Sequence, residues 1–296
     1  MNQKDSIIRI IDKGGNIRVV IARTTHLVDE ARIKHRSSPT ATAALGRVLT
    51  GTIMMALDLK GNESVTVRID GGGPLGPIIA VGESDGSVRG YLSEPEIEVP
   101  EKSPGKLNVG LAVGHDGLME VVRDMGMKST FTGRVALVSG EIAEDFAYYF
   151  TSSEQIPSLV ALGVVIEKDY SVGGAGGVFI QALPGADESV LKKLETEMHG
   201  IGAVSSLVKT YSLEEIAGKL FGESPYNIIE KRPVIFKCRC SYDKVASIIG
   251  AMNDNDITET FEQEGKIEIS CNFCNKIYTF NRTDVEKIKK ISLREV

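Results

Sequence analysis

In this 296-residue chain, one set of residues has types and spacing that converge on a definite chemistry. Cys238-Arg239-Cys240 and Cys271-Asn272-Phe273-Cys274 stand thirty residues apart, with no cysteine elsewhere. Two close pairs of soft anionic ligands, drawn from two chain segments, are what a tetrahedral Zn²⁺ site requires, with sulfur about 2.3 Å from the metal. The expected ligand set is therefore Cys238, Cys240, Cys271 and Cys274, holding one Zn²⁺ per chain. The first pair has a single intervening residue where zinc knuckles usually have two to four. Residues i and i+2 of an extended chain lie about 6.5–7 Å apart, the outer limit for a disulfide, so a bridge between Cys238 and Cys240 is expected to be strained and readily reduced. Lys237 and Arg239 flank these thiols and are expected to favour the thiolate, the form that both binds metal and reacts with oxidants. The spacing reads as a reversible site.

The rest of the chain has to hold those thiols in place. Its composition, 42% hydrophobic and 25% charged, is that of a globular protein long enough for two or more packed units. The N-terminus carries charges where a signal peptide needs an apolar run, and the apolar run from Leu159 to Ile166 falls short of a membrane span. The expectation is a cytoplasmic protein with no membrane partner, in a compartment where clustered thiols serve as metal ligands or a redox device more readily than as permanent cross-links. A net charge of -6 argues against a nucleic-acid partner.

In chain order, 7–12 and 16–23 form an opening hairpin across Gly14-Gly15, and 25–36 a helix. A second helix follows Ser37-Ser38-Pro39-Thr40, with Ala44, Leu45, Val48, Leu49, Ile53, Met54 and Leu57 on its apolar face. Short strands are expected at 64–70, 77–82, 87–92, 107–113 and 133–137, a helix at 141–150, and closing strands at 159–166 and 177–183 flanking the glycines of 173–177. Residues 1–183 thus read as an α+β domain with a mainly antiparallel sheet. From Asp187 the pattern turns helical: Val190, Leu191, Leu194, Met198 and Ile201 form one apolar stripe, continued by Leu207, Val208, Leu213, Ile216, Leu220 and Phe221. Gly200, Gly202, Gly218 and Gly222 cut these helices short, so 184–232 reads as a metastable helical linker that needs a neighbour to pack on. Residues 233–296 hold every cysteine: a strand at 234–236, a helix at 241–252, strands at 267–270 and 277–280, and a final helix opened by Thr283-Asp284-Val285-Glu286 as a capping box. So small a unit has too little core to be comfortable alone, and a structural zinc contributes roughly 10–16 kcal/mol of apparent binding energy to hold it.

Little else in the sequence offers chemistry. Gly71-Gly72-Gly73-Pro74-Leu75-Gly76 fits G-x-G-x-x-G but runs into an apolar stretch with strand character, so it reads as a turn and no cofactor-binding residue is assigned. His26, His35, His115 and His199 are scattered, and no nucleophile and base stand together, so no catalytic residue is assigned and the chain is not expected to be an enzyme. Between 233 and 296 ten Lys or Arg balance ten Asp or Glu, which weakens a zinc-dependent nucleic-acid grip. A thiol-disulfide oxidoreductase using Cys271-x-x-Cys274 is weakened because that motif lies between two predicted strands, away from a helix start.

Cys238-x-Cys240, the thirty-residue gap, Cys271-x-x-Cys274, the α+β region in front and Thr42-Ala43-Ala44-Leu45-Gly46-Arg47-Val48-Leu49-Thr50 together resemble the bacterial thirty-three-kilodalton heat-shock family of redox-regulated chaperones, over essentially the whole chain. The resemblance implies a holdase that is inactive while reduced and zinc-bound. Oxidation would form Cys238-Cys240 and Cys271-Cys274 disulfides and release zinc. The protein would then bind unfolded or partly folded clients as a homodimer and pass them to ATP-dependent chaperones.

Overall fold

The first hairpin forms where the sequence places it: β1 (Ser6–Asp12) and β2 (Ile17–Arg23) pair antiparallel. Asp12 Oδ1 accepts hydrogen bonds from the amides of Asn16 and Ile17 and so fixes the reversal. The computed structural model describes residues 4–186, 188–200 and 202–292. They form two compact units, Met1–Lys237 and Cys238–Val296.

In the larger unit α1 (Thr25–His35) is followed by α2 (Pro39–Met55), which Ser38 caps by accepting from the Ala41 amide. A 3-10 turn (Ala56–Asp58) ends α2. Then come β3 (Ser64–Gly72), β4 (Ile78–Glu83), β5 (Ser87–Leu92), α3 (Val109–Val113), β6 (Gly114–Asp124), β7 (Phe131–Ala136), α4 (Ala143–Ser152), β8 (Ser158–Ile166) and β9 (Val172–Ala182). After these follow α5 (Glu188–Gly200), α6 (Val204–Thr210), α7 (Leu213–Phe221), β10 (Tyr226–Pro233) and β11 (Ile235–Phe236). One sheet runs β10-β1-β2-β9-β8, antiparallel throughout. The other runs β11-β5-β4-β3-β6-β7, antiparallel except where β11 joins β5 in parallel. Strand periodicity decides burial: Val65, Val67 and Ile69 of β3 all turn inward.

Helix α2 packs on β4 and β5 of one sheet and on β8 and β9 of the other. By length and composition the stretch Pro39–Asp58 could cross a membrane, but 94% of its most apolar 18-residue window is buried, as befits a core helix. The opposite face of the first sheet carries Ile8, Ile10, Val19, Ile21, Val178 and Ile180, which pack under α5, α6 and α7. That sheet is the neighbour the short helices need. Leu194 and Met198 of the expected stripe lie in this cluster, whereas the side chains of Val190, Leu191 and Ile201 lie outside the described residues.

The smaller unit contains α8 (Tyr242–Ala251), α9 (Asp254–Glu264), a hairpin of β12 (Ile267–Ser270) and β13 (Ile277–Phe280), and α10 (Arg282–Ser292). Its core is small: Val245, Ile249, Ile257, Phe261, Ile267, Tyr278, Phe280 and Val285. The fold class is the expected one, an α+β protein with a sheet-rich N-terminal part and a C-terminal cluster of four cysteines.

Several elements differ from the sequence reading. Residues 107–113 form no strand. Asn108 caps α3 by accepting from the Leu111 amide and Gly114 at φ 77° ends it, because a short apolar run has no period to separate helix from strand. The glycines of 173–177 lie inside β9. Residues 226–232, expected to be part of the helical linker, pair together with Pro233 as β10 with β1 at a sheet edge, where charged residues and a terminal proline are tolerated. Polar α9 had no apolar signal strong enough to announce it. The final helix is closed by Asn281 and Asp284, whose side chains accept each other's amides, rather than by Thr283 and Glu286.

Candidate metal centre

Cys238 and Cys240 begin the smaller unit. Directly after them Ser241 accepts from the Lys244 amide and starts α8, so the first thiol pair is anchored to a helix N-terminus through one residue. The second pair closes the β12-β13 hairpin. The Cys271 amide donates to the Lys276 carbonyl, and the amides of Cys274 and Asn275 turn back to the Cys271 carbonyl, with Asn275 in the left-handed region at φ 55°. Asparagine tolerates that conformation better than most residues. This tight turn brings Cys271 and Cys274 to the same side.

All four Sγ atoms lie within 4.8 Å of one another, each half-buried. Two cross-segment pairs are closer: Cys238 to Cys271 at 3.6 Å and Cys240 to Cys274 at 3.5 Å. A tetrahedron with metal–sulfur bonds of about 2.3 Å has sulfur–sulfur edges of about 3.8 Å. The cluster therefore fits a single tetrahedral ion bound by Cys238, Cys240, Cys271 and Cys274, and the all-sulfur donor set suits a soft or borderline metal.

The thiols are electrostatically unequal. Burial pushes Cys238 and Cys274 up, and hydrogen bonds shared among the thiols add to it. Burial acts on Cys240 in the same sense, but the Tyr278 hydroxyl, 3.2 Å from its sulfur, and the neighbouring thiols outweigh it and bring Cys240 down to about 7. Donation to Cys240 in turn pushes the Tyr278 phenol up to about 12. One sulfur of the cluster thus ionises more readily than a free thiol because proton donors surround it, and a bound cation would take over the role of those protons.

Of the two flanking cations, Lys237 behaves differently from the sequence expectation. The Lys237 ammonium lies 3.5 Å from Asp85, so it is committed to a carboxylate. The side chain outside the cluster that lowers Cys240 is Tyr278, which no residue spacing marks. Its only sequence signal is the alternation of β13, where Ile277 is 60% exposed while Tyr278 and Phe280 are buried. Of the histidines whose side chains are described, buried His35 sits 3.0 Å from the Gly90 carbonyl, His26 sits beside Asp5, and His115 is exposed. The glycine-rich 71–76 segment closes a turn, with the Gly76 amide donating to the Gly73 carbonyl, and leads into β4.

Fold and site together define a class: a two-sheet α+β protein whose small C-terminal unit is built on a four-thiol, metal-binding-type centre. Residues 5–281 match the family profile described as Hsp33 protein. The chain is 40% identical over 292 residues to the 33 kDa chaperonin of Geobacillus kaustophilus, covering 98% of this chain and 99% of that one. It is 43% identical over 288 residues to the 33 kDa chaperonin of Desulforamulus reducens, covering 97% and 98%. The crystal structure of the 33 kDa chaperonin from Thermotoga maritima superposes with a TM-score of 0.91 at 33% identity, over 99% of this chain and 100% of that one. The chain belongs to the Hsp33 family of chaperones.

Proposed function

We propose that this protein is a redox-regulated holdase of the cytoplasm, with no enzymatic activity, whose off state is the reduced, metal-loaded form. Three parts share the work: the α+β body of residues 1–183, a metastable linker of 184–232 and a switch unit of 233–296. The observation that carries the reading is the convergence of four thiols within 4.8 Å in a unit whose core, among the described residues, has eight buried apolar side chains. So small a core is metal-dependent.

When Zn²⁺ is bound, it supplies the cross-link that the core lacks. Cys238, Cys240, Cys271 and Cys274 would hold it as thiolates. With peroxide, a cysteine sulfur displaces hydroxide to give a sulfenic acid, and a second thiolate displaces hydroxide from that sulfur. Two thiolates, one peroxide and two protons thus become one disulfide and two waters. Each disulfide removes two anionic donors, so two of them abolish the metal site. Cross-segment sulfurs are as near as 3.5 Å in the folded unit. Pairing along the chain, Cys238 with Cys240 and Cys271 with Cys274, follows once the unit opens, because short separations then have the highest effective concentration.

Cys238 follows β11 by one residue, and β11 continues from β10, so loss of order in the switch unit frees the chain end that these edge strands anchor. Release of α5–α7 would uncover the apolar face around Ile10, Val19, Ile21 and Ile180. Unfolded or partly folded clients bind there, the active form is a homodimer, and clients pass to ATP-dependent chaperones. An oxidoreductase reading fits less well, since Cys271-x-x-Cys274 closes a hairpin and opens no helix. The test is zinc content and peptide mapping before and after peroxide. About one zinc per chain, lost as the two adjacent disulfides appear, is expected; disulfides joining Cys238 or Cys240 to Cys271 or Cys274 as the main product would overturn the pairing.

A further inference from the structure

One side chain outside the ligand set reaches into the thiol cluster. The alternation of β13 turns Tyr278 inward, where its ring is 5% exposed and packs in the core of the smaller unit with Ile249, Phe261 and Phe280. The ring is therefore fixed, and its hydroxyl reaches past the core to donate to Cys240 Sγ at 3.2 Å. Lys276 Nζ lies 4.9 Å from the ring centroid. A cation at that distance draws on the ring's electron density and makes the hydroxyl a stronger donor. Cys238 also receives a bond, but from the Cys240 amide at 3.4 Å, a donor that no side-chain change removes. Among the described residues Tyr278 is the one side chain outside the four cysteines shown donating to a sulfur of the centre.

The lone pair that accepts this bond is also the one that attacks an oxidant or an alkylating agent. Hydrogen bonding to a thiolate spreads its charge and lowers its nucleophilicity, as a lower basicity does. We infer that Tyr278 is a positioning residue that restrains Cys240, orienting its sulfur toward the other three thiols and slowing its attack on electrophiles, and so sets how readily the centre gives up its metal. This rests on the reading of the four cysteines as a thiolate metal switch.

Tyr278→Phe keeps the packed ring and removes only the hydroxyl. On the full reduced, zinc-loaded chain, where the four sulfurs are thiolates with or without the Tyr278 hydroxyl, iodoacetamide forms a C–S bond with loss of iodide, and peptide mass mapping over time gives the rate at each cysteine. Loss of one net hydrogen bond predicts Cys240 alkylation about fivefold faster in Tyr278→Phe, with the other three cysteines changed much less. Zinc should reach a chromogenic chelator sooner at the same peroxide concentration. Lys276→Met should shift both readouts in the same direction by a smaller factor. An unchanged Cys240 rate in Tyr278→Phe would overturn the inference. Equal acceleration at all four cysteines would also overturn it, since that is what general loosening of the unit produces. Because alkylation is compared at equal zinc content in parent and variant, a difference confined to Cys240 reads Tyr278 apart from the switch. Failure of the parent protein to retain zinc, or to lose it to peroxide, would instead count against the switch reading.

Discussion

Cys238 and Cys240 sit on a short segment joined to α8 through Ser241, while Cys271 and Cys274 are set by a hairpin turn, so each pair has its own local support and the two meet at the thiol cluster. Cys274→Ser should therefore drop zinc from about one per chain to near zero, because one missing thiolate breaks a closed tetrahedral site. Elemental analysis reads the metal, and circular dichroism reads the loss of α8 and α9. A second residue-scale test lies in the larger unit. Glu141 accepts from Arg47 and Lys102; burial works against its carboxylate, but these bonds prevail and hold its carboxyl below the usual range. A depressed carboxyl contributes stability above its unfolded pKa near 4.3, and that contribution is lost as pH falls through the lower folded value. Glu141→Gln should cost about 1 kcal/mol at pH 7, with the gap to the parent narrowing below about pH 4. Urea titrations at pH 7 and 3.5 would show it; an equal gap at both would contradict it. At this scale the four cysteines were legible because residue type and spacing alone define a ligand set. Tyr278 and the Lys237–Asp85 pair were not, because each depends on where a strand face or a distant turn places its partner.

Among the elements, α6 is the most exactingly seated. It lies on β8 and β9, where a Cβ on Gly174 would stand 2.5 Å from the Ser205 carbonyl oxygen and one on Gly163 would stand 2.9 Å from Ser205 Oγ. Backbone cannot yield as the tip of a side chain can, so Gly174→Ala must lift the helix or bend the strand. Buried Arg23 on β2 completes the seat by donating to the Val208 and Tyr211 carbonyls at the end of α6. Gly174→Ala should destabilise the docked helix by roughly 1–3 kcal/mol. Limited proteolysis of the reduced protein should then cut faster within 184–232 than in the parent. Unchanged cleavage would show that the glycine seat does not govern docking. The elements legible in the sequence were those with strong periodicity and clear punctuation, such as the first hairpin, α2 and β3 to β5. The glycines of β9 looked like a break because what a side chain there would meet is distant in sequence: Ser205 and Val208 of α6 for Gly174 and Gly176, and Leu162, Met54 and Thr50 for Gly177. Likewise β10 kept the composition of an exposed segment because it forms a sheet edge, with Ile229 56% exposed.

For the whole molecule, the two compact units differ in what holds them. The larger has two sheets and a buried central helix, enough core to stand without a ligand. The smaller has eight buried apolar residues around four thiols. Oxidation should thus act first on the smaller unit, and chelation of the reduced protein should lower its melting transition while leaving the transition of the larger unit in place. The central claim is that oxidation converts this chain from an inactive form into one that holds unfolding proteins. The direct measurement is suppression of aggregation of a chemically denatured client by the reduced, zinc-loaded protein and by the same protein after peroxide at elevated temperature, with zinc release followed in parallel. Little suppression before oxidation and strong suppression after it, rising with zinc release, is expected. Equal suppression by the fully reduced, zinc-loaded protein would contradict it.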